Sequence, residues 1–390
     1  MEMYRRTYAE ISIENLIHNW YEIKKVAGDD RFICPMVKAN AYGHGDAQTA
    51  LALEQEGAET VGVCLIEEGL LVRASGVKAQ ILVFRGFDKV GAQKILEYQM
   101  TPVVSTWEQI QALESAADEP VKVHLKFDTG MKRLGFDTSQ CEKLFSFFKN
   151  SKKLKLKAIL THLAQAEDAV DTNGFSAQQI QDFLPVVDFF KPLNVYAHIL
   201  NSAAISALAQ VKKENILAHP LLKNSWGFRP GLSLYGYSAT PHQAGMNLAP
   251  VMTLKSVVNN IRSIKKEESV SYGCSWRAAR DSKIAIVPIG YADGYHRLIS
   301  NRGVALFADQ LVPVVGRICM DFLMLDVTDV VHDQDVSKWI EEEVIFFGHN
   351  DKGIFLSAAK VAEAAETVVW ESLTSVGERV PRHYRGLKKS

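Results

Sequence analysis

The chain has 390 residues, with 44 Lys and Arg against 45 Asp and Glu and a formal net charge of −1. It therefore offers no electrostatic footprint for DNA, RNA or an anionic membrane. Its length suggests two domains, or one large barrel with an appendage, and no stretch approaches about 20 consecutive apolar residues, which excludes a spanning helix. The N-terminal MEMYRRTYAEISIENL has no apolar core behind its arginines, so no signal peptide is expected. The cysteines (Cys34, Cys64, Cys141, Cys274, Cys319) are scattered, odd in number and never in a CxxC pair. That pattern fits a reduced cytosol and supports neither a disulfide framework nor a thiolate metal site.

Short β-branched runs alternate with helical patterns through the first 240 residues. Strands are expected at 31–39, 60–65, 80–86, 101–105, 121–128, 156–164, 194–201 and 228–236. Amphipathic helices fit between them, among them GDAQTALALEQEG and SAQQIQDFLPVVDFF. Strand–helix alternation argues for a parallel sheet. Eight such units match the roughly 250 residues of a (β/α)8 barrel. A doubly wound sheet usually carries a Gly-rich phosphate fingerprint, and neither GxGxxG nor GxxxxGK[ST] occurs. A barrel over 10–240 is the reading.

After about residue 245 the character changes. MTLKSVVNNIRSI, SKIAIVPIGYADGY, VALFADQLVPVVGRICM, FLMLDVTDV and EEVIFFGH are strand-like, and few helical patterns interrupt them before AAKVAEAAE. A mostly β domain over 245–390 follows, with residues 1–9 assigned to it. The basic segment from Arg382 to Lys389 reads as a solvated terminus.

Reactive side chains of a (β/α)8 barrel sit at or just after the C-terminal strand ends. Lys38 ends the first strand behind mainly apolar residues. It either snorkels or pairs with a carboxylate, or serves Schiff-base chemistry with a pKa lowered by desolvation. Lys126, Asp128 and Arg133 fall near the barrel mouth, where a structural ion pair is the default. His162 taken alone reads as a hydrogen-bonded core histidine. Asn201 or Ser202 would cap a helix through AAISALA. A helix start beside the seventh strand, with Gly231 after the eighth, is also a common place for phosphate.

These pieces together resemble the bacterial alanine racemase family, pyridoxal-phosphate enzymes with a barrel and a β domain. The resemblance covers essentially the whole chain. VKANAYGHG, KFDTGMKRLG, THLA, HILNSAA, RPGLSLYG, VSYGCSW, VPIGYADG, VGRICMD and RVPR come in family order with compatible spacing. It implies that Lys38 holds pyridoxal phosphate as a Schiff base and is one of two catalytic bases. Tyr42, Ser202, Gly231 and Leu232 then hold the phosphate, with Asn201 beside them. Arg229 sits against the pyridine nitrogen and His162 lies close to the ring. Arg133 approaches the phenolic oxygen and the substrate carboxylate, and in many members the lysine matching Lys126 is carbamylated and steadies that arginine. Tyr272 is the second base, contributed by the partner subunit of a homodimer. Met320 and Asp321 lie near it, and Tyr291 falls in the substrate entryway. No metal is implied.

The implied activity is conversion of L-alanine to D-alanine for peptidoglycan, in the cytoplasm. Racemisation needs a base on each face of Cα, because one base returns the proton to the side it left. An arginine at the ring nitrogen makes a weaker electron sink than a carboxylate partner does, which suppresses side reactions. One departure stands out: Trp370-Glu371 occupies the place where many members have Tyr-Glu, and an indole donates one hydrogen bond but accepts none. Rivals are a serine or broad-specificity racemase of the same fold, a non-catalytic pyridoxal-phosphate carrier, and a fold-related decarboxylase. The carrier would resemble the barrel alone. The decarboxylase would need a cysteine-bearing site that the sequence lacks.

Overall fold

The computed structural model describes residues 5–28, 30–211, 226–238, 245–332 and 335–387. Lys388 and Lys389 of the basic segment lie outside them. The chain divides into two compact units, one of Asn15–Ala41 and Asp46–Ala249, the other of Met1–Glu14, Tyr42–Gly45 and Pro250–Ser390.

After β1 (Tyr8–Ser12) and the helix Ile13–Ala27 come seven strands of the first unit. They are β2 (Thr60–Val63), β3 (Gln80–Val83), β4 (Thr101–Val104), β5 (Val121–Lys126), β6 (Leu154–Leu160), β7 (Tyr196–Asn201) and β8 (Gly227–Arg229). All neighbours pair in parallel and in chain order. Every residue of β2 and β4 is buried, because helices cover the outer face and packed side chains fill the inner one. Helices start where the sequence supplies caps: the Asp88 carboxylate accepts from Gly91 N–H and the Thr106 hydroxyl from Gln109 N–H. The shared core includes Phe127, Phe183, Phe190, Trp226 and Phe228, with the Phe183 and Trp226 rings 6.0 Å apart.

The expected first strand, 31–39, is shorter than its apolar run suggests. Only Ile33 and Met36 form bridges, to Phe228 and Gly62. Pro35 has no N–H to give a continuous ladder. The segment still closes the barrel. Cys34 N–H donates to Phe228 O at 2.9 Å, Met36 N–H to Pro230 O at 2.8 Å, and Val37 N–H to Gly62 O at 2.8 Å. The expected eighth strand, 228–236, likewise ends at Arg229, before Pro230, and gives way to a 3-10 turn over Leu232–Tyr235.

The second unit is mostly β. Its strands are β9 (Met252–Val257), β10 (Asn260–Ile264), β11 (Ser269–Val270), β12 (Trp276–Arg277), β13 (Ser282–Val287), β14 (Val304–Phe307), β15 (Gln310–Pro313), β16 (Leu323–Asp326), β17 (Glu343–His349), β18 (Phe355–Leu356) and β19 (Arg382–Arg385). The main sheet runs β15-β14-β17-β9-β1-β19, with β18 on β17. A second sheet runs β10-β13-β16, and β11 pairs β12. The expected helix forms at Ala358–Ala364, and a second, Val369–Thr374, was not apparent in the sequence.

The reading of Arg382 onward as a solvated tail is corrected: Arg382–Arg385 is a strand lying parallel to β1. Arg382 Nε also donates to Gly43 O at 3.0 Å, and Tyr384 Oη to His44 O at 3.1 Å. Packing is so close there that a Cβ added at Gly43, where φ is +86°, would stand 2.2 Å from Leu373 O.

Asp293, inside VPIGYADG, has a side chain with no exposure and takes both guanidinium nitrogens of Arg5 at 2.6 Å. It also accepts from Gly290 N–H at 3.0 Å. Asp293→Ala should lower unfolding stability by about 2 kcal/mol, below the figure for a fully enclosed pair because the Arg5 side chain keeps 29% of its exposure. Denaturant melts of the variant measure this. A change under about 0.5 kcal/mol would show the pair to be inert.

Candidate active site

The segment bearing Lys38 turns against the usual hand. Ala39, Asn40, Ala41 and Tyr42 have φ of 53°, 52°, 51° and 53°, a left-handed turn that costs L-residues roughly 1–2 kcal/mol each. Local hydrogen bonds hold it. The Glu68 carboxylate accepts from Ala39 N–H at 2.7 Å with one oxygen, and from Cys64 and Leu65 N–H at 2.7 and 3.0 Å with the other. The Asn40 side chain accepts from Asp46 N–H at 3.1 Å. Glu68 thus caps its own helix, Ile66–Ala74, and fixes the residue after Lys38. Sequence reasoning missed it; its one visible signal was a Glu at the third position of a helix. Tyr42, by contrast, packs with the β-rich unit.

Lys126 ends β5, nearly buried, and its side chain makes no hydrogen bond or ion pair among the described residues. Burial first, then the charges of Arg229 and Arg133, lower its pKa to about 8. The expected structural ion pair is absent there: the Asp128 carboxylate instead takes backbone N–H groups of Gly130, Lys132 and Arg133 at 2.8, 3.1 and 3.2 Å. Arg133 itself is exposed.

Arg229, the last residue of β8, is 6% exposed and bonded only to neutral acceptors among the described residues. One terminal nitrogen donates to His198 Nδ1 at 2.9 Å, the other to Thr161 O at 2.8 Å and to His162 Nδ1 at 3.3 Å. Burial lowers its pKa to about 10, so it stays charged at neutral pH. His162 is held well below the ordinary histidine value by burial and then by Arg229.

Just past the adjoining ends of β7 and β8 lies a cradle of small polar groups. Ser202 Oγ accepts from Gly231 N–H at 2.8 Å and Ser233 N–H at 3.3 Å, and Ser233 Oγ donates to it at 3.1 Å. Ser202 opens the helix Ser202–Gln210, and the expected cap is Asn201, whose side chain accepts from Ala204 N–H at 3.1 Å. Leu232 follows Gly231 and is buried. A helix start, a hydroxyl cluster and a glycine N–H suit an anion such as a phosphate.

In the β-rich unit, three of the quoted segments are tied together. Ser271 Oγ donates to Arg317 O at 2.5 Å, Tyr291 N–H to Cys319 O at 3.1 Å and Ala292 N–H to Met320 O at 3.0 Å. Tyr272 sits in a short 3-10 turn between residues of positive φ, with 69% of its surface open; Tyr291 and Met320 are also exposed. Asp321 pairs with Arg379 at 2.7 Å. Trp370 is half-buried in the helix Val369–Thr374. Among the described residues no cluster of His, Cys, Asp or Glu is suited to a metal, and no helix is long and apolar enough to cross a membrane.

A parallel barrel with a lysine and an arginine at its strand ends, followed by a β-rich unit, defines a class that known proteins also occupy. The alanine racemase N-terminal domain matches residues 11–239, and the alanine racemase C-terminal domain matches 251–384. An alanine racemase of Sorangium cellulosum is 35% identical over 98% of this chain and 99% of its own, and one of Carboxydothermus hydrogenoformans is 33% identical over 97% and 100%. Among solved structures, the alanine racemase of Clostridium difficile 630 superposes with a TM-score of 0.86 at 28% identity, covering 98% of this chain and 97% of the other. The Bacillus anthracis alanine racemase with bound L-Ala-P gives 0.85 at 27% identity over 100% and 97%. The chain belongs to the alanine racemase family and is an isomerase of that class.

Proposed function

We propose that the protein converts L-alanine to D-alanine with pyridoxal phosphate and two bases, Lys38 and Tyr272. The observation that carries this reading is the buried Arg229, cationic and bonded only to neutral groups, in the same barrel as the Ser202–Gly231–Ser233 cradle. A phosphate fits the cradle, and Lys38 supplies the amine. When bound, pyridoxal phosphate acidifies the α-proton of an amino acid joined to it. Ser202, Gly231, Leu232 and Tyr42 hold its phosphate, helped by the helix that Asn201 caps. His162 and Arg229 border its ring, and Arg133 orients the substrate carboxylate. Lys38 Nζ takes the α-proton from one face while Tyr272 Oη gives one to the other, and the roles reverse for the opposite direction.

Tyr272 comes from the partner subunit of a homodimer, a role its exposure supports, with Met320, Asp321 and Tyr291 around the substrate path. The product serves peptidoglycan assembly, and the enzyme works in the cytoplasm. A chiral assay of the purified protein with L-Ala, L-Ser and L-Lys tests the substrate. L-Ala should turn over fastest and only with pyridoxal phosphate present. Faster turnover of L-Ser would replace this reading with that of a serine racemase.

Lys126 carries a carbamate in the working enzyme. An ammonium lodged beside two guanidinium groups repels them, whereas a carbamate attracts both. The reaction joins the neutral amine to carbon dioxide and releases a proton. Its lowered pKa of about 8 makes that neutral form accessible, increasingly so as pH rises through 8. Stripping carbon dioxide at pH 7 should cut turnover about tenfold, and bicarbonate should restore it. Lys126→Ala should not respond to bicarbonate; equal restoration in that variant would end the idea.

A further inference from the structure

The first unit holds a buried polar chain that the proposed reaction does not use. Behind Arg229, His198 Nε2 lies 3.0 Å from His124 Nδ1, and His124 Nε2 lies 3.2 Å from Tyr196 Oη. Both imidazoles have no exposure at all, project from the middle of β7 and β5, and are flanked by the Phe32 ring at 5.1 and 6.0 Å. The direction of every bond follows from the first one. A guanidinium only donates, so His198 Nδ1 must accept and carries no proton. A neutral His198 then has its proton on Nε2 and donates it to His124 Nδ1. That nitrogen is bare in turn, so the His124 proton is on Nε2 and goes to Tyr196 Oη. Either histidine, if protonated, would lose the acceptor that its neighbour needs.

We propose that His198 and His124 are positioning residues for Arg229, forming a relay of two Nε2–H imidazoles that ends on Tyr196. The relay satisfies one guanidinium nitrogen without a carboxylate, which would otherwise take up the positive charge. It also fixes the guanidinium plane, because Thr161 O holds the other nitrogen at 2.8 Å. The neutrality of the chain agrees with burial and then Arg229 lowering His124 to about 3, and holding His198 well below the ordinary value. This proposal rests on the reading of Arg229 as the group beside the cofactor ring.

The test uses the full-length protein with 15N-labelled histidine, loaded with pyridoxal phosphate and stripped of it. In both states His198 and His124, together with His162, whose Nδ1 also accepts from Arg229 at 3.3 Å, should show an unprotonated Nδ1 and a protonated Nε2, unchanged from about pH 8 to about pH 5. His124→Phe identifies one of them and leaves His198 Nε2–H without an acceptor. The His198 signals should then move toward a mixture of tautomers, and pyridoxal phosphate should titrate into the stripped protein about tenfold more weakly. kcat should fall about tenfold, with KM for L-alanine changed less than about twofold. His124→Gln offers both an acceptor and a donor and should recover most of each effect. A proton on Nδ1 of either histidine, or titration within that pH range, overturns the relay even if no variant folds. So does a folded His124→Phe protein with unaltered His198 signals and kcat. Failure of the wild-type chain to bind pyridoxal phosphate would instead overturn the cofactor reading, while the tautomers of the stripped protein still decide the relay.

Discussion

Replacing Lys38 with alanine should remove racemisation and the visible absorbance of the bound cofactor in one step. On the proposed reading the same amine anchors pyridoxal phosphate and moves a proton, so no other residue covers half of its work. The expected loss of kcat is at least about a thousandfold, the joint scale of a missing nucleophile and a missing general base. Lys38 is not part of the apolar core, so the thermal midpoint of the stripped variant should stay near that of the stripped parent. Near-normal turnover in Lys38→Ala would show that another group is the first base.

Mixing inactive Lys38→Ala with inactive Tyr272→Ala protein should restore about a quarter of the wild-type activity. Random exchange of equal amounts makes half the dimers mixed, and each mixed dimer of a two-fold enzyme with shared sites has one intact site in two. The physical ground is the setting of Tyr272. A tyrosine with 69% of its surface open, held on a turn with positive φ at Ser271 and Gly273, is poorly explained as packing. If Tyr272 served its own barrel, every site in the mixture would lack one base. Activity that stays at the level of the single variants, after mass spectrometry proves subunit exchange, rules out the shared site.

The barrel was legible because burial on both faces turns its strands into continuous apolar runs, as in TVGV and QILV. Strand ends were less so. Pro35 and Pro230 each sit within an apolar run that looks like strand, yet neither can donate to a ladder. The tail strand Arg382–Arg385 was misread because RHYR has no apolar alternation, and its parallel partner lies at the other end of the chain. Nothing local announces the left-handed turn after Lys38, since Ala, Asn and Tyr all prefer the other hand. Candidate residues such as Lys38, Arg229 and Tyr272 came from family resemblance, whereas position alone left Lys38 undecided. Glu68, His124 and His198 stayed hidden because a helix-start glutamate and histidines in apolar strands are ordinary features of a core. Their roles appear only when hydrogen-bond directions are followed.

The short closing segment at 33–37 has a consequence for the order in which the protein is made. It bonds on one side to Gly62 and on the other to Phe228 and Pro230, which leave the ribosome nearly two hundred residues later than the segment itself. Until then one flank of the lysine-bearing stretch has no strand beside it, and such long-range closure is slow to form. A nascent chain therefore cannot assemble a half-working pocket early: Arg229 and Gly231 arrive with the strand that shuts the ring. On the proposed reading, cofactor capture is thereby deferred to the moment the barrel becomes a closed object.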